Sequence, residues 1–451
     1  MTSADANNPA SNKASRTGNI RSPRGTRDFY PDEMLRRRYI ESMWREVATR
    51  HGFEEIDGPR FEHLDLYTIK SGDGIVSELF SFQREGGDDI YALRPEFTPT
   101  LARMVAAKAN ALPKPVKWFS VGPYFRAERP QRGRLREFLQ WNVDIVGDDA
   151  PDADAEVIAC CVDFLRSLGL TPEDVKIKLS NRDVVAKFMR ETGVDDAHEP
   201  TAFALLDRID KMDKDEISTK AKQIGWDIAG FLDRTQAKDV AAKYLHGQET
   251  VSPGSRLAEV CSQLETFGLA PWLDVDFGVV RGLAYYTGTV FEVHEVSGLD
   301  RAIAGGGRYD HLVELVGGPA TPAIGFAMGD VVLANVLDDR EVMPTAATLR
   351  DRFGFSPDVF VIPGASDEAA ALVPAIVAAL RAEGLHVRHS YRATRNTGKL
   401  LGEASRAGAR LALFVEGPIA MSVKPLRDDT DDVKQYLSAI AAARGWSLRD
   451  H

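Results

Sequence analysis

The sequence predicts a mixed α/β protein of more than one domain: a region built around a long β-hairpin, a charge-rich helical module, and a smaller α/β domain. Three observations carry this. Over residues 118–147, Tyr124, Arg126 and Glu128 alternate with Phe125 and Ala127, and Gln140, Asn142 and Asp144 alternate with Trp141, Val143 and Ile145. That period of two reads as a hairpin with one polar and one apolar face. Residues 192–268 are charge-rich and helically patterned, as in AFALLDRIDKMDKDEI. From Asp358 onward, short apolar runs alternate with helical ones, beginning DVFVIPG and DEAAALVPAIVAALRAEG.

The remaining elements follow in order. Residues 1–22 are rich in Ser, Asn and Ala, as in a mobile tail. Leu35, Tyr39, Ile40, Met43 and Val47 have helical spacing. Residues 68–89 mix glycines and charges and read as a loop with short strands. Arg94 and Glu96 stand on the same side of the extended run YALRPEFTPT, and Thr98 and Pro99 suit a helix start. Residues 148–169 predict a helix with an acidic first turn, Val175 to Leu179 a strand, and Asn181 to Glu191 a helix. Gly305, Gly306 and Gly307 permit a close turn beside a ligand. Residues 338–356 read as linker.

At 451 residues the chain can bury a large core. A net charge of −11 does not advertise nucleic-acid binding, although a local basic surface can sit on an acidic protein. Arg388, Arg392, Arg395, Lys399, Arg406 and Arg410 make one such stretch. Three cysteines form no disulfide scaffold, and no CxxC pair suggests zinc. The start lacks an apolar leader and no uncharged run reaches membrane-spanning length, so the expectation is a cytoplasmic protein with no membrane partner.

The run FRAERPQRGRLREFLQWNVDIVG at 125–147 resembles the second signature motif of class II aminoacyl-tRNA synthetases, most closely the histidyl-tRNA synthetase family. LRPE at 93–96, RGLAYYTG at 281–288 and GGGRYD at 305–310 extend the resemblance, which runs with gaps from about Pro23 to Trp446. It implies a class II catalytic domain over 23–350, built on an antiparallel sheet and containing the 192–268 helical insertion, an anticodon-binding α/β domain over 358–451, and a homodimer built by the first motif around Pro59. It also implies ligation of L-histidine to tRNA(His) through an adenylate, with ATP as substrate and Mg2+ accompanying its phosphates.

Such chemistry brings a carboxylate to the α-phosphorus of ATP, so fixed cations must hold two anions in line. By resemblance, Arg126 and Arg281 are the catalytic arginines, and the planar, permanently charged fork of Arg281 suits bridging the two reactants. Arg126, Glu128, Arg134, Arg136 and Phe138 would bind ATP, with Glu128 a candidate metal ligand. Glu96, Gln140 and Asp144 would accept the ammonium group of histidine. Arg281 would take its carboxylate, and Tyr285 and Tyr286 would address its ring. The 388–410 arginines and lysine would contact tRNA phosphates. Two alternatives share the fold: a synthetase-like regulatory subunit of histidine biosynthesis, and a non-catalytic RNA-binding protein.

Two departures stand out. Phe97 occupies the small position of the LRPEG-type stretch. In the third motif, Val331 and Val332 stand where the family pattern has an acid and an arginine, so its γ-phosphate contact is missing. Arg308, another arginine or Mg2+ is expected to replace it.

Overall fold

The computed structural model describes residues 20–71, 78–209, 212–236, 238–245, 255–282, 285–298, 301–392 and 394–451. Most of the predicted 1–22 tail lies outside them. The described residues form two compact units: one comprises residues 20–29 and Ile40–Met343, the other Tyr30–Tyr39 and Pro344–His451.

Helix α1 (Pro31–Arg50) opens on proline, with Asp32 and Glu33 in its first turn, and buries the predicted stripe from Leu35 to Val47. Strands β1 (Glu54–Glu55) and β2 (Phe61–His63), helix α2 (Asp65–Ser71), and strands β3 (Ser81–Gln83) and β4 (Ile90–Leu93) follow. Helix α3 (Thr98–Ala107) starts at the expected Thr98–Pro99 pair. The long hairpin is β5 (Val116–Phe125) and β6 (Glu137–Val146), paired antiparallel from Val116 opposite Val146 to Phe125 opposite Glu137. Its strand ends at Phe125, so Arg126 and Glu128 leave the alternation and belong to the connecting loop. Every residue from Leu139 to Val146 is buried. One reason is helix α4 (Pro151–Ser167), whose Phe164 ring lies 5.2 Å from that of Trp141.

Strand β7 (Val175–Asn181) leads into α5 (Arg182–Glu191), where Asn181 caps the helix by accepting from the backbone N–H groups of Asp183 and Val184. Helices α6 (Glu199–Leu206), α7 (Lys214–Gln223), α8 (Ile228–Thr235) and α9 (Lys238–Leu245) occupy the charged stretch, and α10 (Arg256–Thr266) packs against α4. Strands β8 (Leu273–Val275), β9 (Thr289–Glu295) and β10 (Ala304–Arg308), helix α11 (Leu312–Leu315), strand β11 (Ala323–Gly329) and helix α12 (Asp330–Asp339) complete this unit.

Among the described residues the main sheet runs β1-β5-β6-β11-β10-β9-β7-β8. Its pairings from β5 through β7 are antiparallel, with parallel strands only at the edges. The glycine run forms strand β10 rather than the expected turn. Gly306 pairs with Phe291 and Phe326, and a Cβ there would lie 2.6 Å from the Phe326 Cβ. A three-stranded sheet β2-β4-β3 stands apart from the main one.

In the second unit, helix α13 (Ala346–Arg352) lies inside the stretch read as linker, its Leu349 fully buried. Strand β12 (Val359–Pro363), helix α14 (Asp367–Ala382), strand β13 (Val387–His389), helix α15 (Thr397–Arg406), strands β14 (Leu411–Val415) and β15 (Ala420–Pro425), helix α16 (Asp431–Ala443) and strand β16 (Ser447–Asp450) follow. The sheet order is β13-β12-β14-β15-β16, parallel except between β14 and β15. The mainly parallel α/β expectation therefore holds.

Candidate active site

The first unit contains a cavity of about 1400 Å³. Its floor is the main sheet, which contributes Gln140, Asn142, Glu292 and Gly305. Helices α6 to α8 close one side through residues including Leu206, Ile217 and Leu232, a contribution that the helical pattern of the charged 192–268 stretch gave no sign of.

At one end Glu96 lies between β4 and α3 and accepts a hydrogen bond from Tyr285 Oη at 2.7 Å. Burial pushes its carboxyl up, while the Tyr285 hydroxyl and then Arg126 and Arg281 pull it back. Tyr285 and Tyr286 have ring centroids 4.9 Å apart, and burial raises both phenols, so they remain protonated donors. Gln140 faces the cavity with its buried Oε1 unpartnered among the described residues. An unpartnered acceptor on the same cavity wall as the Glu96 carboxylate suits an ammonium group.

Arg281 stands next to this acidic end. Its φ is 58°, an uncommon value for a non-glycine residue. Its Nη1 donates to Glu292 Oε1 at 2.6 Å, and the second Glu292 oxygen meets His294 Nε2 at 2.8 Å. Burial opposes the charges of both partners. Tyr286 and Glu292 nevertheless raise Arg281, and His294 and Arg281 hold Glu292 down at about 2. The guanidinium is thus fixed before any substrate arrives, and Gly305 leaves room for it: a Cβ there would overlap the Arg281 guanidinium carbon.

Arg126 lies 5.3 Å from the Phe138 ring centroid and donates from Nε to the Pro95 carbonyl at 3.3 Å. Glu128 and Arg134 form an ion pair, and both line the cavity. Val332, at the start of α12, is buried, and a Cβ on Gly133 would lie 3.1 Å from its Cγ2. Asp330 accepts from Arg27 at 2.6 Å and from the Leu139 N–H at 2.9 Å, tying the opening segment to the hairpin.

Glu96, Arg126, Glu128, Arg134, Phe138, Gln140, Arg281, Tyr285 and Tyr286 therefore share one cavity. Two of the expected site residues, Asp144 and Arg136, are off its wall. Asp144 lies behind Tyr309, whose hydroxyl donates to it at 2.6 Å, and burial pushes its carboxyl up to about 7. Arg136 packs against Gly25 and donates to the Glu128 carbonyl at 3.1 Å. Arg308 does not replace the third-motif arginine, because it is buried and pairs with Asp154 at 2.7 Å. Arg94 does not pair with Glu96; it donates to Asp57 at 2.7 Å. Glu292 and His294 are site residues that the sequence reading misses, although the alternation of β9 puts both on one face. Asn142, which donates to Tyr124 Oη at 3.1 Å, was legible in the same way.

A family model described as Histidyl-tRNA synthetase matches residues 25–330. The chain belongs to the histidyl-tRNA synthetase family. It is 43% identical to a histidine–tRNA ligase of Opitutus terrae over 92% of this chain and 96% of that protein. It is 38% identical to one of Haloarcula marismortui over 94% and 97%. Among solved structures, the apo histidyl-tRNA synthetase of S. aureus matches with a TM-score of 0.61 at 25% identity, covering 88% of this chain and 90% of that one. A histidyl-tRNA synthetase of a Nostoc species matches in fold with a TM-score of 0.71 at 23% identity, covering 93% and 99%. The catalytic and anticodon-binding architecture expected of the family is present in this chain.

In the second unit, Arg388, Arg392 and Arg406 line one cavity of about 500 Å³ with Phe355 and Glu403. Arg410 is not free for RNA, as its guanidinium holds Asp432 at 2.5 Å. Arg395 is paired with Asp367, and Lys399 does not line this cavity. Tyr391 is 89% exposed, with its ring centroid 4.6 Å from that of His389.

Proposed function

We propose that the large cavity activates L-histidine with ATP as histidyl adenylate and then passes the histidyl group to tRNA(His). The observation that carries this reading is the position of Glu96 under the influence of both Arg126 and Arg281, which makes one site for an ammonium group, a carboxylate and a phosphate. Glu96 and Gln140 accept the ammonium. Tyr285 and Tyr286, kept protonated by burial, offer hydroxyls near the imidazole. Asp144 acts from behind by orienting Tyr309.

Arg281 takes the histidine carboxylate and the α-phosphate together, and Arg126 the opposite phosphate oxygen. These fixed cations meet charge that grows on the phosphoryl oxygens in the transition state. Bond formation between carboxylate oxygen and α-phosphorus expels pyrophosphate. The ribose hydroxyl of tRNA then attacks the activated carbonyl and releases AMP. Phe138 flanks the adenine, and Arg134 meets the distal phosphates once ATP competes for its pairing with Glu128.

Mg2+ accompanying ATP would neutralise charge on its phosphates. Glu128 offers one carboxylate, which fits a hard cation drawing its other oxygens from phosphate and water. Among the described residues no cluster of three His, Cys, Asp or Glu forms a cage for it.

The exposed rings of Phe61 and Phe82, 5.6 Å apart, support assembly as a homodimer through the smaller sheet. Three buried, free cysteines support a reducing, cytoplasmic setting. No helix of the described residues is long and apolar enough to cross a membrane. Residues 358–451 serve as the anticodon-binding domain, and 192–268 as an inserted module over the site. The test is aminoacylation: purified protein, ATP and histidine should charge tRNA(His), and a folded protein giving no histidyl-tRNA would reject the reading.

A further inference from the structure

We propose that Arg301 holds the distal phosphates of ATP and does the work of the cation that Val332 cannot supply. The inference rests on reading the large cavity as the ATP site. Its warrant is the register of two strands. Strand β10 pairs antiparallel with β11, Ala304 opposite Met328. Three residues before Ala304 is Arg301, and three after Met328 is Val331. Arg301 thus leads into the sheet across from the first turn of α12, where the third-motif side chains stand. Arg301, Val331 and Val332 all line the same cavity, together with Gly133 and Arg134 of the hairpin loop.

The charge balance points the same way. Glu128 is paired with Arg134, whereas Arg301 has no ion-pair partner among the described residues. Desolvation disfavours its charge first, then Arg134 repels it and Glu128 attracts it. Arg134 and Arg301 thus face the cavity around one carboxylate, Glu128, while Arg126 lines the same cavity under the influence of Glu96. Cations brought together without enough counter-charge suit a polyanion, and the β- and γ-phosphates are the polyanionic part of ATP. Arg308, the other arginine beside the glycine run, is consumed by Asp154. Val332 meanwhile packs beneath Gly133, so the position vacated by a charged side chain now supports the loop.

The experiment is steady-state ATP–pyrophosphate exchange with Arg301→Ala and Arg301→Lys. It is paired with calorimetric binding of ATP alone, which reads the site without any reaction. Arg301→Ala should weaken ATP binding and raise KM for ATP about tenfold or more, the loss of one charge-assisted hydrogen bond. KM for pyrophosphate in the reverse direction should rise with it. KM for histidine and kcat at saturating ATP should stay within twofold. Arg301→Lys should keep part of the affinity, and Val332→Arg added to Arg301→Ala should recover part of what is lost. ATP affinity and both KM values within twofold of the unmodified protein would overturn the proposal, as would a loss confined to kcat. Unmodified protein that binds ATP but shows no histidine-dependent exchange would refute the functional reading while leaving Arg301 tested by binding.

Discussion

Replacing Arg281 with alanine perturbs both chemistry and fold, and the two contributions can be separated. In the native protein, Arg281 and Glu292 bond at 2.6 Å with side chains 22% and 23% exposed. Such a pair lies between a surface bridge, about 0–1 kcal/mol, and a buried one whose disruption costs about 3–5 kcal/mol. A stability loss of roughly 1–3 kcal/mol follows from that intermediate exposure. His294 remains to bond Glu292, which limits the damage. Arg281→Gly should recover about 1 kcal/mol of it, because the φ of 58° suits glycine. The chemical loss is larger. A fixed donor aimed at developing charge contributes about 100- to 1000-fold in kcat, roughly 2.7–4 kcal/mol. Single-turnover formation of histidyl adenylate at saturating ATP and histidine should fall by that factor in both variants, while chemical denaturation reports the stability term. Lysine cannot reproduce the planar fork, so Arg281→Lys should remain at least tenfold slow. A folded Arg281→Ala protein with near-normal kcat would refute the transition-state role.

Glu96→Gln should raise KM for histidine by about tenfold to a hundredfold with KM for ATP little changed, the cost of a charged acceptor at an ammonium; since burial raises this carboxyl, histidine affinity of the native enzyme should also fall as pH drops through a range above that of an ordinary glutamate. His51, bonded to Glu156 at 3.2 Å and Asp163 at 3.0 Å, has a raised pKa, and Glu156 is held down at about 2. The histidine contribution is present below its ordinary value near 6.5 and is lost as pH rises through the raised value, while the Glu156 contribution is present above about 4.5 and is lost toward 2. Denaturation midpoints should accordingly show His51→Gln more damaging at pH 5.5 than at pH 8.5; equal effects would refute the linkage. Arg388→Ala with Arg406→Ala should raise KM for tRNA several-fold and flatten its salt dependence while leaving ATP–pyrophosphate exchange intact, since neither residue lines the large cavity.

What the sequence disclosed was local. The hairpin was legible because Gln140, Asn142 and Asp144 share one face by a period of two, and the helix starts were legible because Asn181 and Pro99 carry their own chemistry. Pairing across the fold was not. The partner of Asp144 is Tyr309, 165 positions away, and the partner of Arg308 is Asp154 on a helix before the insertion. Nothing in a run of residues separates a carboxylate on a cavity wall from one a layer behind it, so Asp144 was read as a direct contact. Arg126 and Glu128 continued the alternation in sequence although the strand had ended at Phe125. Arg301 gave no signal alone; its meaning comes from the strand opposite. The glycine run reads as a turn because glycine permits one, whereas close approach is what requires it: the Arg281 guanidinium at Gly305, β11 at Gly306 and β9 at Gly307.

The central claim is that this cavity selects histidine and joins it to ATP. The most direct test is ATP–pyrophosphate exchange measured with each of the twenty amino acids in turn. The geometry predicts exchange dependent on histidine alone, since hydroxyls and carboxylates left unpaired by an apolar side chain would disfavour other amino acids. Folded protein showing no exchange with histidine, or equal exchange with a different amino acid, would contradict it.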